Sequence, residues 1–434
     1  MKIVVRAAAG LVMTAALTLG AEFSGSVVDA ATGKPISGAI VTLGAKDTRT
    51  GANGGFRILG DGPLVQARAY GYDRTHVTAD AHNAKSLRLT LHAITPHAVY
   101  LSFWGVSSSA VREPVLNLAK SSPVNAIVID VKGDMGYVSF KTASPLASEI
   151  GAEKMTTIPD IHALIDRLHS QGFYTIGRIV TFKDNMLCRA HPEWAVKQNG
   201  HAFKDREGLA WCDPFNQQVR DYNVGLGIEA AKAGFDEIEF DYVRFPDTKG
   251  VEFSRESTEE SRPKAIDGFL REAQQKLLPY NVFLAADVFG YICWNQNDTG
   301  IGQRIGDVAE VLDYISPMLY PSGFSFGIPN YRNPVQHPYE IVRLSLDRAA
   351  ERTKIDPKRF RPWLQAFADY AFDKRQFGPK ELQAQIKAAE DFGSDGWLLW
   401  NPRNVYSAEA IRSFRRSETV AAAHSVVKAG AGQE

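Results

Sequence analysis

The chain of 434 residues has few cysteines, no excess charge of either sign and only ten histidines. Cys188, Cys212 and Cys293 show no CxxC spacing, which argues against a zinc site. No two histidines stand at HxH or HxxH spacing at the end of an inferred strand, which argues against a metal-dependent deacetylase or esterase. We therefore expect a protein that needs no metal and no other cofactor.

The charge balance excludes another class of partner. Lys and Arg together number 49, and Asp and Glu together also number 49. Without a leader that contains Lys2 and Arg6, 47 cations face 49 acids, which is a net charge of −2. Binding of nucleic acid usually needs a clear basic surplus or patch, so no nucleic-acid partner is expected.

Long hydrophobic runs are also missing, except at the N-terminus. Residues 1–21 have two early cations, an apolar run from Ala7 to Leu19 and small residues at Gly20 and Ala21. This layout is typical of a secretory signal peptide cleaved near Ala21. An uncleaved membrane anchor is the alternative, but the run is shorter than the roughly 20 residues that a span needs. We expect an exported protein, periplasmic or extracellular, with no membrane span in the mature chain.

Two of the cysteines have a bearing on export. Cys188 and Cys212 lie in the same inferred connection and could form a disulfide in an oxidising compartment. The sequence leaves open whether they are bonded.

Residues 22–94 have the pattern of a small all-β domain. Five short apolar runs are separated by turn residues such as Thr32-Gly-Lys-Pro35, and up to seven strands fit into this length. The predicted fold is a β-sandwich. The motifs Gly25-Ser-Val-Val-Asp29, Gly51-Ala-Asn-Gly-Gly-Phe56 and Ala69-Tyr-Gly-Tyr72 resemble the carboxypeptidase regulatory-like domain. The resemblance implies an accessory domain without catalysis, for which carbohydrate binding and a spacer role are both open.

Residues 96–416 alternate apolar strands with amphipathic helices. Eight β/α units over this length predict a (β/α)8 TIM barrel, and no Gly-rich phosphate-binding turn follows the first strand, which argues against an open doubly wound sheet. The predicted fold class is thus α/β, a TIM barrel preceded by a small all-β sandwich. Residues 417–434 are small and Ala-rich, and we expect a flexible tail.

The fourth barrel strand carries the most informative residues. Side chains alternate along a strand, so Glu237, Glu239 and Asp241 share one face, while Ile238 and Phe240 share the other. Three acids on one face are costly to bury unless that face opens into a polar cavity. Because barrel enzymes carry their chemistry at the C-terminal ends of the strands, Asp241 is the first catalytic candidate, and Glu239 below it is expected to shape its pKa.

Further polar and aromatic residues follow the other strands at the same rim. We predict catalytic roles for Asp241 and Asp287, which end adjacent strands. Two such carboxyl groups can divide glycoside cleavage, one as the acid and the other as the nucleophile or base. The predicted substrate-binding residues are Trp104, Asp130, Lys132, Arg178, Glu239, Tyr242, Arg244, Tyr320, Gln365, Trp400 and Asn401.

Structural alternatives stand beside these roles. Asp241 and Arg244 could form an ion pair at the rim, Asp287 could cap a helix, and Asp130 could pair with Lys132. All seven tryptophans lie in the barrel half, where sugar rings can stack on exposed indoles. We predict ligand contact for Trp104, Trp211, Trp294 and Trp400, and core packing for Trp363 and Trp397.

The barrel motifs also carry a resemblance. The segments Arg178-Ile-Val-Thr-Phe-Lys-Asp184, Glu239-Phe-Asp-Tyr-Val-Arg-Phe-Pro246, Ala286-Asp-Val-Phe-Gly290 and Ser316-Pro-Met-Leu-Tyr-Pro321 resemble the putative glycosyl hydrolase domain family. The resemblance implies a TIM-barrel hydrolase of glycosidic bonds related to α-amylase-like barrels, and it places the nucleophile on Asp241. The general acid varies among such relatives, and Asp287 is our prediction.

Together these observations predict an exported glycoside hydrolase that acts on a polysaccharide or oligosaccharide. The alternative is a non-catalytic barrel protein that binds polysaccharide through its aromatic residues. The sugar, the linkage, the retaining or inverting course and the oligomeric state are not determined by the sequence.

Overall fold

The computed structural model describes residues 21–80 and 82–411. The predicted signal peptide, except for Ala21, and the predicted tail at residues 417–434 lie outside the described residues. Within the described ranges, no helix combines the length and apolarity needed to cross a bilayer.

Seven strands form the N-terminal all-β domain, as predicted. They are β1 (Ala21–Asp29), β2 (Ile40–Leu43), β3 (Lys46–Arg49), β4 (Gly55–Gly60), β5 (Leu64–Arg68), β6 (Arg74–Thr78) and β7 (Leu87–Leu91). One sheet has the order β4-β1-β7 and the other β3-β2-β5-β6. Val27, Val41, Val65 and Leu89 are buried in their shared core. Strands β3 and β6 lack apolar alternation and are largely exposed, which explains why the five clear runs did not include them.

Eight parallel strands close into a barrel, which confirms the predicted fold. They are β8 (His97–Leu101), β9 (Ala126–Lys132), β10 (Tyr174–Val180), β13 (Glu237–Asp241), β14 (Phe283–Phe289), β15 (Tyr314–Met318), β16 (Trp363–Gln365) and β17 (Trp397–Trp400), and β17 pairs with β8 to complete the ring. A small hairpin, β11 (Lys197–Gln198) and β12 (His201–Ala202), lies in the connection after β10.

Nine α-helices occur in the described part of the chain. They are α1 (Ser109–Leu116), α2 (Pro145–Glu149), α3 (Ile161–Ser170), α4 (Asn185–Ala190), α5 (Gln217–Ala233), α6 (Ser261–Leu277), α7 (Ile305–Val311), α8 (Pro338–Thr353) and α9 (Pro379–Phe392). Helix α5 shows how the sequence sets their ends. The side chain of Asn216 accepts hydrogen bonds from the first turn, and Gly234 takes a left-handed conformation at φ 107° after the last turn.

The barrel interior is filled in layers, and its lowest layer is closed. Glu237 accepts hydrogen bonds from Arg361 at 2.5 Å and from Tyr174 at 2.8 Å, and Arg361 also bonds Asp395. The expectation that this face of β13 opens into a polar cavity is therefore wrong for Glu239, which is fully buried, and for Glu237. A buried arginine compensates the charge of Glu237 instead.

The sandwich packs against the N-terminal ends of the barrel strands. Arg68 forms an ion pair with Asp313 at 3.4 Å, and Arg74 forms one with Asp236 at 3.1 Å. Asp313 and Asp236 come directly before β15 and β13. The sandwich thus covers the end of the barrel opposite to the carboxyl ends of the strands.

Candidate functional site

A cavity of about 270 Å³ opens at the C-terminal ends of the barrel strands. Asp241 and Asp287 both line it, so the predicted catalytic pair faces one cleft. The cavity is lined by Asp134, Arg178, Asp241, Tyr242, Arg244, Asp287, Phe289, Gly290, Tyr291, Met318, Tyr320, Gly323, Phe324, Trp363, Tyr370 and Trp400. This mixture of acids, guanidinium groups and aromatic faces suits a polar ligand with apolar C–H faces.

Arg178 lies on the cavity floor and bridges two carboxylates, those of Asp241 and Asp130. Its Nε donates to Asp241 Oδ2 at 3.0 Å, and one terminal nitrogen donates to Asp130 Oδ1 at 2.7 Å. Asp130 also accepts hydrogen bonds from the Tyr100 hydroxyl and the Phe103 amide. Burial lowers the pKa of Arg178, but the carboxylates of Asp241 and Asp130 more than offset this effect, so the pKa stays well above its ordinary value. The arginine is charged at every working pH.

Backbone strain helps to orient Asp241. Tyr242 has φ 48°, a left-handed conformation that is uncommon for a bulky residue, and its amide donates to Asp241 Oδ1 at 2.6 Å. Both carboxyl oxygens of Asp241 therefore accept N–H donors, since Oδ2 is held by Arg178. The proposed ion pair between Asp241 and Arg244 is wrong, because Arg178 is the arginine that pairs with this carboxylate.

Asp287, in contrast to Asp241, is buried beside another carboxyl group, that of Glu239. Burial, followed by the charges of Glu239 and Asp241, raises the pKa of Asp287 well above its ordinary value. Burial and the charge of Glu237 raise the pKa of Glu239 to about 7. Neither oxygen of Glu239 has a hydrogen bond of standard geometry, and Asp287 and the Ser316 hydroxyl are the polar groups nearest to it. Burial and neighbouring negative charge therefore favour the protonated form of Asp287, beside a carboxyl group that titrates near pH 7.

The separation of Asp241 and Asp287 follows from their shared neighbour. Arg178 Nε lies 3.0 Å from Asp241 Oδ2 and 3.9 Å from Asp287 Oδ2. These two oxygens are therefore at most about 7 Å apart, which admits the roughly 5 to 5.5 Å spacing of retaining glycosidases. The strand register is consistent with this short separation. Phe240 on β13 is opposite Ala286 on β14, and the next residues along the two strands are Asp241 and Asp287.

Aromatic residues form one wall and extend it into a second cavity. Trp400 stacks on Tyr100 with ring centroids 4.0 Å apart and lies 4.9 Å from the Arg178 guanidinium. Trp400 and Asp134 also line a neighbouring cavity of about 250 Å³, which Trp104 borders with 54% of its surface exposed. Because the two cavities share these lining residues, they form one extended cleft. Tyr320 lines the first cavity, which contains Asp241 and Asp287.

Arg244 reaches the cavity from the segment after β13. Its guanidinium lies 4.7 Å from the ring centroid of Trp211 and 5.3 Å from that of Tyr242. Trp211 is buried in the long connection after β10, where Cys188 and Cys212 form a disulfide. This connection therefore supports one side of the cleft from beneath.

Several predicted binding residues lie elsewhere. Lys132 is buried against the helix layer and pairs with Asp184 at 2.6 Å, because a β-bulge shifts the register so that Ile179 faces Lys132. It therefore pairs neither with Asp130 nor with a ligand in the cavity. The amide of Gln365 is occupied by Ser322, and the Asn401 side chain bonds backbone carbonyl groups of Ala366 and Val405. These three residues line neither cavity, and neither does the predicted binding residue Glu239, which is fully buried below Asp241.

Trp363 is the clearest functional candidate that the sequence did not suggest. Its indole donates to Asp287 Oδ1 at 2.5 Å and its ring lines the cavity, so core packing is an incomplete description. Trp363 begins the three-residue strand β16, and no polar residue beside it in the sequence indicated a role in the site. Of the other tryptophans, Trp397 is buried as predicted. Trp294 bonds Ser345 and Trp211 packs against Arg244, and neither lines either of these two cavities, so the predicted ligand contact is not seen for them.

Comparison with known proteins agrees with the barrel geometry. The PgaB (BpsB) glycoside hydrolase domain from Bordetella bronchiseptica has 13% sequence identity and a TM-score of 0.55, and the match covers 74% of this chain and 99% of that domain. This similarity is one of fold. A hypothetical protein from Ruminiclostridium thermocellum ATCC 27405 is 36% identical, with coverage of 44% of this chain and 97% of that one and a TM-score of 0.39.

Two sequence matches complete the comparison. An S-layer-related protein from Niallia circulans is 29% identical over 167 residues, which are 32% of this chain and only 10% of that protein. Residues 98–406 match the family described as "Putative glycosyl hydrolase domain". Because this match covers well over half of the chain, the protein belongs to the putative glycosyl hydrolase domain family.

Proposed function

We propose that this protein is an exported enzyme that cleaves glycosidic bonds of a polysaccharide, with Asp241 as nucleophile and Asp287 as general acid and base. One observation carries the assignment. Two carboxyl groups face the same cavity in different environments, since Arg178 and the Tyr242 amide hold Asp241, whereas burial and then the charges of Glu239 and Asp241 raise the pKa of Asp287. A carboxyl group that favours its protonated form, beside one that is held by an arginine, suits the acid and nucleophile roles of glycoside cleavage.

In the proposed reaction, Asp241 attacks the anomeric carbon while Asp287 transfers its proton to the leaving oxygen. The covalent glycosyl intermediate is then hydrolysed by water, which Asp287 deprotonates in its new role as base. Arg178 holds Asp241 in position, and the Trp363 indole orients Asp287. Burial, and then the charges of Glu239 and Asp241, raise the pKa of Asp287 and so favour the proton that it must donate.

Export is part of the same proposal. The predicted leader at residues 1–21 supports it, and so does the disulfide between Cys188 and Cys212, because such bonds persist mainly in oxidising compartments. The name of the S-layer-related relative fits a location at the cell envelope.

Reducing-end release from a panel of bacterial exopolysaccharides, glucans, galactans and hexosamine polymers tests the activity. The wild type should release reducing ends from at least one polymer, and Asp241→Asn should lower the rate by at least about a thousandfold, the usual scale for loss of a covalent nucleophile. Asp221→Asn at an exposed side chain on α5 is the matched control and should act like the wild type. Glycan binding without release by the wild type would favour the non-catalytic alternative.

A further inference from the structure

The catalytic cavity contains an arginine that forms no ion pair with any carboxylate of the described residues. Two cations line this cavity among the residues that the structure describes, Arg178 and Arg244. Arg178 is paired with Asp241 and Asp130. Arg244 makes a single hydrogen bond, to the Phe245 carbonyl at 3.0 Å, and within residues 21–80 and 82–411 it has no carboxylate within 4 Å. Most of its five N–H donors are therefore without a protein acceptor.

The surroundings of Arg244 make this lack of a partner costly. The side chain is partly buried, and burial lowers the pKa of the guanidinium, because the carboxylates of Asp241, Asp247 and Asp205 lie more than 4 Å away and offset the effect only in part. An arginine remains charged at any physiological pH, so the cost of desolvation is borne by the free protein. A bound anion would offset that cost. A neutral hydroxyl group would offset less of it, because its hydrogen bond to the guanidinium is weaker.

The geometry around the guanidinium is also prepared in advance. Trp211 and Tyr242 pack against it at 4.7 and 5.3 Å, and Trp211 is fixed in turn by a hydrogen bond from its indole to Asp205 at 3.1 Å. A guanidinium held in one plane can offer two parallel N–H donors to a carboxylate or a sulfate ester. Arg244 follows Asp241 by three residues and lines the same cavity.

We infer that Arg244 recognises an anionic substituent of the sugar, so that the substrate is an acidic polysaccharide. This inference rests on the proposed function, because it names the substrate class of the same cavity. A carboxylate of a uronic acid and a sulfate ester are both compatible with the guanidinium.

Isothermal titration with matched polymers tests the inference. The carboxylate arm compares polygalacturonate, alginate and hyaluronan with their methyl esters, and the sulfate arm compares dextran sulfate with dextran. At least one acidic polymer should bind about tenfold or more tightly than its neutral counterpart, the effect expected of one charge-assisted bidentate pair. Arg244→Gln should abolish the preference, Arg244→Lys should retain part of it, and Arg271→Gln on the surface of α6 should leave it intact.

The outcomes separate the two proposals. If no acidic polymer is preferred by the wild type, or if the preference persists in Arg244→Gln, Arg244 does not read an anion and the inference is overturned. Cleavage restricted to neutral polymers would also overturn it while leaving the proposed activity intact. An Arg244-dependent preference in binding without any release of reducing ends would support the inference and refute the hydrolase.

Discussion

Replacing the neighbouring carboxyl groups of Glu239 and Asp287 with neutral amides should stabilise the barrel at alkaline pH. The pKa of Glu239 is raised to about 7 from an ordinary value of 4.5, and that of Asp287 is raised as well. Between pH 4.5 and pH 7 the folded protein thus holds protons that the unfolded chain has lost, so its free energy of unfolding falls as pH rises. Glu239 alone accounts for about 3 kcal/mol over this window. The double variant Glu239→Gln/Asp287→Asn lacks both groups and should escape the loss.

Urea unfolding followed by tryptophan fluorescence measures this effect, since all seven tryptophans lie in the barrel half. The unfolding free energy of the double variant minus that of the wild type should increase by about 3 kcal/mol or more between pH 4.5 and pH 8. Glu310→Gln, at an exposed side chain on α7, should show no such increase. A difference that stays constant with pH would mean that these carboxyl groups are not held protonated by burial, and the assignment of Asp287 as an acid would lose its basis.

Three further perturbations probe the site and its supports. Arg178→Met leaves Asp241 and Asp130 buried without a cation and should lower the unfolding free energy by about 3 to 5 kcal/mol in urea titrations, whereas a loss below 1 kcal/mol would refute the central role of this ion pair. Cys188→Ser removes the disulfide and should cost about 2 to 4 kcal/mol, with reductant destabilising the wild type but not the variant. Trp104→Ala should raise KM several-fold in steady-state assays with kcat nearly unchanged, and a fall in kcat alone would contradict a binding role.

The barrel and the core of its site were open to prediction because strand periodicity reports which side chains share a face. The alternation along β13 placed Glu239 and Asp241 on one side, and the rule that parallel strands expose their carboxyl ends at one rim brought Asp241 and Asp287 together. Both rules depend on local pattern alone. The edge strands β3 and β6 of the sandwich lacked such a pattern, since polar residues occupy both of their faces.

Side-chain pairings between residues that are far apart in the sequence were not predictable. Lys132 follows Asp130 by two residues, so alternation predicts that both face the barrel interior, but the bulge opposite Arg178 turns Lys132 outward to Asp184. Nothing in the sequence near Asp241 indicates that its arginine comes from the neighbouring strand β10 and not from Arg244. Pairings of this kind follow from barrel register and shape.

Azide rescue of Asp241→Ala tests the central claim most directly, on whichever polymer the wild type cleaves. A small nucleophile can occupy the space of the missing carboxylate, while Asp287 still protonates the leaving group. We predict negligible turnover without azide, and with azide a glycosyl azide whose anomeric configuration is opposite to that of the substrate. Wild-type turnover by Asp241→Ala without azide, or an azide product with the configuration of the substrate, would contradict Asp241 as the nucleophile.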